Sequence, residues 1–175
     1  MKRLLIGVGA IVVLVGLAAV IGAFLPRNHV ASSSIRLNQP PDSVWAVIRD
    51  FGALPSWWKD VKQSVRQPDQ GGLERWDQQT GMGSMSLEIT ESRPPARLVT
   101  RIVSPPGAAF GGTWTYEIAP ADGGSHLTIT EVGWVANPLF RFLAHTIFGV
   151  HGTIDGYLKG LGTRFGETVE PEHVR

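Results

Sequence analysis

The sequence predicts an α+β domain, with an antiparallel sheet and a long C-terminal helix, behind one N-terminal transmembrane helix. An uncharged apolar run occupies residues 4–25. Between residues 60 and 135, short runs alternate apolar and polar residues and are separated by Pro, Gly and Asp. From Leu139 to Phe165, apolar residues recur at every third or fourth position. Period-two alternation is typical of strands, and the three-to-four spacing is typical of a helix.

The apolar run follows Lys2 and Arg3 and is 22 residues long. At about 1.5 Å per residue it spans roughly 33 Å, close to the hydrocarbon thickness of a bilayer. A cleavable signal peptide is the alternative. Its apolar core usually has about 7–15 residues, so we favour a retained anchor at residues 4–25. Because Lys2 and Arg3 favour the cytoplasm, we expect a single-pass protein whose C-terminal domain is periplasmic or otherwise extracytoplasmic.

The rest of the chain follows the anchor almost at once. We expect residues 1–28 to form the anchor and a short linker, residues 29–168 the folded domain, and residues 169–175 a polar tail. Pro41 at the first position of a helix, followed by Asp42, favours helix formation there. The predicted elements are a strand at 30–37, helices at 41–51 and 53–58, and strands at 60–67, 73–80, 84–92, 97–104, 110–119 and 125–135.

The last predicted element is a helix of about seven turns that starts after Asn137-Pro138. Its apolar face consists of Leu139, Leu143, Ile147, Val150, Ile154, Leu158, Leu161 and Phe165. Glycine inside a helix costs about 1 kcal/mol relative to alanine, and several glycines lie in this segment. We therefore predict a kink or a break at 149–152.

Composition excludes several classes of chemistry. The chain has no cysteine, which excludes disulfides, thiolate nucleophiles and cysteine-bound metals. Its net charge is +1, too small an excess to indicate a nucleic-acid partner. His151 and Asp155 have a metal-ligand spacing but lack a recognisable third ligand, so we expect no metal and no other cofactor. Ala18 and Gly22 form a small-residue pair that only weakly favours a homodimer.

One stretch carries a resemblance to a known superfamily. Residues 39–58 read Gln-Pro-Pro-Asp-Ser-Val-Trp-Ala-Val-Ile-Arg-Asp-Phe-Gly-Ala-Leu-Pro-Ser-Trp-Trp. They resemble the first helical segment of the START-like (SRPBCC) superfamily, which includes Bet v 1 and the polyketide cyclase/dehydrase-like proteins. The predicted element order over residues 30–168 is similar to its helix-grip fold. The resemblance implies a curved antiparallel sheet of about seven strands wrapped around the last helix, with an apolar tunnel between them.

The resemblance also implies where a ligand binds, although the superfamily's site residues vary widely. Positions expected to face the tunnel or its mouth are Trp57, Trp58, Trp76, Arg101, Trp114, Tyr116, Ile129, Leu143, Ile147, Val150 and Ile154. Trp57 and Trp58 have two interpretations, since adjacent residues of a regular helix cannot both point inward. They either cover the pocket or contact the membrane interface, where tryptophan is favoured.

Glu131 is the candidate catalytic residue. It shares one strand face with Leu127 and Ile129, so an inward apolar face would direct its carboxylate into the tunnel. Burial there would make it a proton donor or a hydrogen-bonding anchor for a ligand head group. A strand twist or a bulge at Gly133 would instead leave Glu131 at the solvated rim.

Three functions remain open. The first is a membrane-anchored binding or carrier protein for a hydrophobic small molecule or lipid, which requires aromatic walls and few catalytic groups. The second is a polyketide cyclase/dehydrase-like enzyme, with Glu131 as acid or base and Tyr116 or Arg101 stabilising an enolate. The third is an envelope docking module whose cavity is filled by its own aromatic side chains. We favour binding over catalysis, and catalysis over docking.

Overall fold

The computed structural model describes residues 2–81 and 83–174, with the side chains of all of these except residues 2–6, 147 and 148. The helices are α1 (Lys2–Phe24), α2 (Pro41–Arg49), α3 (Pro138–Leu143) and α4 (Gly152–Arg164), with a 3-10 turn at Phe51–Ser56 and a π-turn at Ala144–Phe148. The strands are β1 (Asn28–Leu37), β2 (Val61–Gln70), β3 (Leu73–Thr80), β4 (Gly83–Arg93), β5 (Arg97–Ile102), β6 (Phe110–Ala121), β7 (Gly124–Val135) and β8 (Glu172–His173).

The described strands form one antiparallel sheet in the order β2-β3-β4-β5-β6-β7-β1-β8. The α+β helix-grip prediction is confirmed, and all seven predicted strands begin and end within three residues of the observed ones. The structure adds β8, which pairs with β1 through His173 opposite Ser33 and Glu172 opposite Ser34. Two residues of a polar tail carry no alternation for a sequence pattern to detect, so β8 was not predicted.

The core lies between the inner face of the sheet and α4. Leu98, Leu127 and Ile129 on the strands and Ile154 and Leu158 on α4 are completely buried. These side chains meet because alternate residues of each strand share a face, while residues three and four apart share a face of the helix. The sheet thus grips α4, and its inner face is the one on which a site can form.

The predicted long helix is interrupted, as its glycines indicated. α3 ends at Leu143, a π-turn follows, and α4 starts only at Gly152. Gly149 has a φ of +73°, a conformation that disfavours side chains and does not belong to a right-handed helix. The interruption separates α3 from α4, so the two helices pack against different parts of the molecule.

α1 contains the one helical stretch among the described residues that is long and apolar enough to cross a membrane, Gly7–Phe24, with a mean hydropathy of 2.6. A signal sequence near an N-terminus can meet the same criteria of length and composition. The end of α1 packs against α3. A Cβ atom placed on Gly22 would lie 1.8 Å from the Pro138 carbonyl oxygen, so only glycine fits at this contact. Gly22, predicted as part of a dimer contact, is therefore covered by α3 of its own chain.

Candidate ligand-binding site

Five aromatic side chains fill the space between the sheet and α4. We call Trp57, Trp58, Trp114, Tyr116 and Tyr157 the aromatic cluster. The Tyr157 ring is at its centre, with ring centroids 5.1, 5.0, 5.8 and 5.7 Å from those of Trp57, Trp58, Trp114 and Tyr116 respectively. Most of these contacts are edge-to-face, the arrangement that the charge distribution of aromatic rings favours.

Both adjacent tryptophans reach this cluster because the backbone is not helical where they lie. The 3-10 turn ends at Ser56, and Trp57 has a φ of −138°. The amides of Trp57 and Trp58 both donate to the Leu54 carbonyl, at 3.2 and 2.9 Å. Gly160 on α4 lies directly beneath Trp57, and its lack of a side chain allows that close approach. Both indoles therefore contact Tyr157.

The indole nitrogens of Trp57 and Trp58 are buried and have no hydrogen-bond partner among the described residues. A buried donor without an acceptor costs about 1–3 kcal/mol, so native proteins rarely leave one unpaired. Trp76 behaves differently. Its ring stacks on Phe51 at 5.7 Å, outside the cluster, and its Nε1 donates to Glu74 at 2.7 Å.

The two tyrosines of the cluster stay neutral over the physiological range. Burial raises the pKa of Tyr116, the charge of Glu131 raises it further, and hydrogen bonds with Thr100 and Tyr157 oppose the increase. Burial also raises the pKa of Tyr157, with smaller increases from its charge and hydrogen-bond interactions with Tyr116. The cluster therefore presents neutral hydroxyl groups, which can donate hydrogen bonds but cannot act as bases.

A carboxylate and an imidazole meet at one edge of the cluster. Glu131 pairs in register with Trp114 on β6 and with the buried Ala31 on β1, so it lies on the inner face. His29 Nε2 is 3.4 Å from Glu131 Oε1, and the two side chains are 18% and 19% exposed. The pair is therefore mostly buried, with little contact with water. Sequence reasoning missed His29, which precedes Glu131 by more than 100 residues.

Arg101 lies on the other face of the sheet, contrary to prediction. On β5 the side chains of Leu98 and Thr100 are buried, so Arg101 points outward by alternation. There its Nη2 donates to Glu88 Oε2 at 2.8 Å. Arg101 cannot stabilise an enolate formed beside Glu131 on the inner face.

The other predicted positions are distributed along the interior. Ile129 and Ile154 are completely buried core residues, and Val150 packs against that core from the turn before α4. Leu143 is half-buried at the end of α3, while the side chain of Ile147 lies outside the described residues. Sequence reasoning missed Tyr157, although its position three residues after Ile154 indicates the same buried face of α4.

The aromatic cluster occupies the space where the resemblance implies a tunnel. Two surface grooves along the described residues have volumes of about 380 and 230 Å³. The larger groove lies beside Trp57 and Gly160 and includes the cationic side chains of Lys59 and Arg164. Trp57 lines this groove and also contacts Tyr157, so its side chain lies between the groove and the rest of the aromatic cluster.

A second polar cluster fixes the C-terminal tail to the sheet. The buried Ser33 hydroxyl donates to Asp155 Oδ1 at 2.7 Å and lies 3.2 Å from His151 Nδ1. His173 on β8 bonds to Asp155 Oδ2 at 2.9 Å, and its ring stacks on His151 at 3.8 Å. Burial and the neighbouring His173 lower the pKa of His151, against the opposing charge of Asp155. The pair with metal-ligand spacing thus holds β8 in place.

Residues 28–166 match the model of a family described as polyketide cyclase / dehydrase and lipid transport. The chain belongs to this family. The match covers the domain from the start of β1 to just beyond α4 and leaves α1 outside. No curated protein sequence matches the chain.

Solved structures share the fold at low sequence identity. The di-domain ARO/CYC StfQ from the steffimycin biosynthetic pathway has a TM-score of 0.62 at 12% identity, over 79% of this chain and 52% of that one. A Thermobifida fusca protein has a TM-score of 0.59 at 21% identity, over 78% of this chain and 93% of that one. A START superfamily protein from Mycobacterium smegmatis has a TM-score of 0.58 at 17% identity, over 78% of this chain and 96% of that one. The chain spans about half the length of the di-domain StfQ.

Proposed function

We propose that this protein is a membrane-anchored binding or carrier protein for a hydrophobic small molecule or lipid. The family includes lipid transport in its description, which supports binding of an apolar ligand. The length and composition of α1 support anchoring, with the domain outside the cytoplasm. The aromatic cluster supplies the apolar, ring-rich surface that such a ligand requires.

The observation that carries this proposal is the pair of unsatisfied indole N–H groups. In the aromatic cluster, Trp57 and Trp58 have buried donors without acceptors among the described residues. A ligand carrying a carbonyl or ether oxygen would satisfy them and recover part of their desolvation cost. We therefore expect an apolar body with one or two acceptor oxygens, as in a quinone or an aromatic ketone.

Binding requires the cluster to open, because its rings occupy the interior. Trp57 is half-buried and forms the wall between the 380 Å³ groove and Tyr157. Rotation of this side chain would join the groove to the cluster. The family's tunnel would then form when the ligand enters, with Lys59 and Arg164 at its mouth.

The first test is native mass spectrometry of the full-length protein extracted gently from its membrane. A bound lipid or quinone at one per chain would support the proposal and identify the ligand class. Binding is then measured by calorimetry in nanodiscs with a decyl-substituted naphthoquinone, and with decylnaphthalene as the probe that lacks the carbonyls. Absence of a bound molecule together with no binding of either probe would favour the docking module.

Trp58→Phe keeps an aromatic ring, although a smaller one, and removes the indole N–H donor. We expect it to weaken naphthoquinone binding by about 2- to 10-fold, the value of one hydrogen bond, and to leave decylnaphthalene binding unchanged. Trp134→Phe is the matched control, because Trp134 is paired with Asn28 at the start of β1 and lies outside the cluster. Equal weakening of both probes would show that packing, not the indole donor, controls recognition.

The second candidate function is a cyclase-like enzyme, favoured by the Glu131–His29 pair on the inner face. Glu131 would remove a proton from a methylene between two carbonyls, and the resulting carbanion would form a carbon–carbon bond to another carbonyl. Glu131 would return that proton to the new alkoxide, and the resulting hydroxyl would leave as water together with a proton that Glu131 removes from the adjacent carbon. Incubation with a linear poly-β-ketone thioester tests this reaction. Glu131→Gln should abolish turnover in an enzyme and only weaken affinity in a carrier.

A further inference from the structure

We propose that residues 138–148, comprising α3 and the π-turn, lie in the interface of the same membrane leaflet in which α1 ends. This inference rests on the proposed anchoring through α1. It adds a second membrane contact, made by the folded domain itself. The occupant of this surface is the lipid bilayer, at the boundary between head groups and acyl chains.

The depth of α3 follows from its contact with α1. Gly22 lies against the Pro138 carbonyl, and a Cβ on Gly22 would be 3.3 Å from Cβ of Phe142. Gly22 is two residues before the end of the apolar stretch Gly7–Phe24. At about 1.5 Å per residue, the contact lies roughly 3 Å inside the end of that stretch. α3 therefore begins at the depth where acyl chains meet head groups, and cannot lie far out in water.

Two exposed phenylalanines on α3 and at the end of α1 are suited to lipid, although His145 and Thr146 of the segment are exposed as well. Phe140 on α3 is 52% exposed and Phe24 at the end of α1 is 87% exposed, both unusual for phenylalanine in water. Nearby on the sheet, Val30 and Val132 face each other in register and are 67% and 53% exposed. This pair lies near the start of β1, only a few residues beyond α1. Val30 follows the end of α1 closely along the chain, and Phe140 belongs to the helix that packs against α1.

Three side-chain donors of the segment bond to backbone carbonyls, as a lipid environment favours, whereas the buried Arg141 Nε has no hydrogen-bond partner among the described residues. Arg141 is buried, and its Nη1 donates to the Leu25 carbonyl at 3.0 Å, at the negative end of the α1 dipole. His145 Nδ1 donates to the Arg141 carbonyl at 3.0 Å, and the Thr146 hydroxyl donates to the Phe142 carbonyl at 2.6 Å. The one charged residue of the segment therefore stabilises the α1–α3 contact.

The experiment uses the absence of cysteine from the natural chain. Single cysteines replace Phe140 in α3, Leu14 in α1, and Asp122 in the β6–β7 turn at the opposite end of the sheet. Each full-length variant is labelled with an environment-sensitive fluorophore and reconstituted in vesicles of phosphatidylcholine and phosphatidylglycerol. Quenching by nitroxide-labelled lipids is compared with quenching by aqueous iodide, and circular dichroism verifies that each variant is folded.

We expect lipid nitroxides to quench the Phe140→Cys label at least about threefold more than iodide does, with the reverse for Asp122→Cys. An iodide-accessible label at Phe140→Cys, beside a lipid-quenched label at Leu14→Cys, would overturn the interfacial contact and leave the anchor intact. A water-accessible label at Leu14→Cys would overturn the anchoring itself, and with it the inference. Val132→Cys repeats the measurement on the sheet and should follow Phe140→Cys.

Discussion

α3 and α4 come from one continuous apolar pattern, yet they pack against different partners. α4 is gripped by the sheet, and its Ile154, Leu158 and Leu161 are completely buried. α3 packs against the end of α1, with Phe140 half-exposed. The glycine-containing turn between α3 and α4 lets each helix point its apolar face in a different direction. Periodicity therefore identifies an apolar face but does not identify what covers it.

Truncating one large side chain in each helix should reveal this difference most clearly, in the free energy of unfolding. Leu158→Ala removes a completely buried side chain from α4 and should lower the free energy of unfolding by about 2–5 kcal/mol. Phe140→Ala removes an exposed ring from α3 and should change it by less than about 0.5 kcal/mol in detergent. Urea unfolding followed by near-ultraviolet circular dichroism measures both. Similar losses would show that α3 belongs to the core of the domain.

The contact between α1 and α3 can be broken at one residue. Gly22→Leu places a side chain where the Pro138 carbonyl lies, whereas Gly16→Leu meets no atom within 4 Å. Separation of the helices would expose the buried Arg141 to trypsin. We expect cleavage after Arg141 to be at least about tenfold faster in Gly22→Leu, corresponding to a local destabilisation above about 1.4 kcal/mol. Equal cleavage rates in the two variants would show that α1 does not protect α3.

A smaller effect is expected from pH at the α4 end. The pKa of His151 is lowered in the folded protein, so the unfolded chain binds its proton more readily. The contribution to stability is therefore complete above the unfolded pKa, near 6.5, and is lost as pH falls below it. Unfolding free energies at pH 7.5 and 5.5 should show this decrease, and His151→Gln should reduce it. His145→Gln, in the π-turn beside α3, is the control for loss of an imidazole. An unchanged slope in His151→Gln would assign the decrease to other groups.

The aromatic cluster shows how far prediction of the site extended. Strand alternation grouped Glu131 with Leu127 and Ile129, and Tyr116 with Trp114 and Ile118, because alternation is a local property of the backbone. Alternation left open whether Glu131 lies inside or at the rim. The same rule, applied to β5, would have placed Arg101 outside, since Leu98 and Thr100 are the buried positions. The adjacent Trp57 and Trp58 were ambiguous because their joint burial depends on a 3-10 turn and on Gly160, distant in sequence.

By itself the sequence determined the apolar N-terminal segment, the α+β class, the six long strands after α2 and the break in the last helix. Each of these follows from local periodicity, turn residues or glycine. Only the tertiary structure decided that His29 contacts Glu131, that α3 packs against Gly22, and that His173 hydrogen-bonds to Asp155. Such contacts depend on strand order and register, which bring together residues far apart in the chain, and no local pattern specifies that pairing.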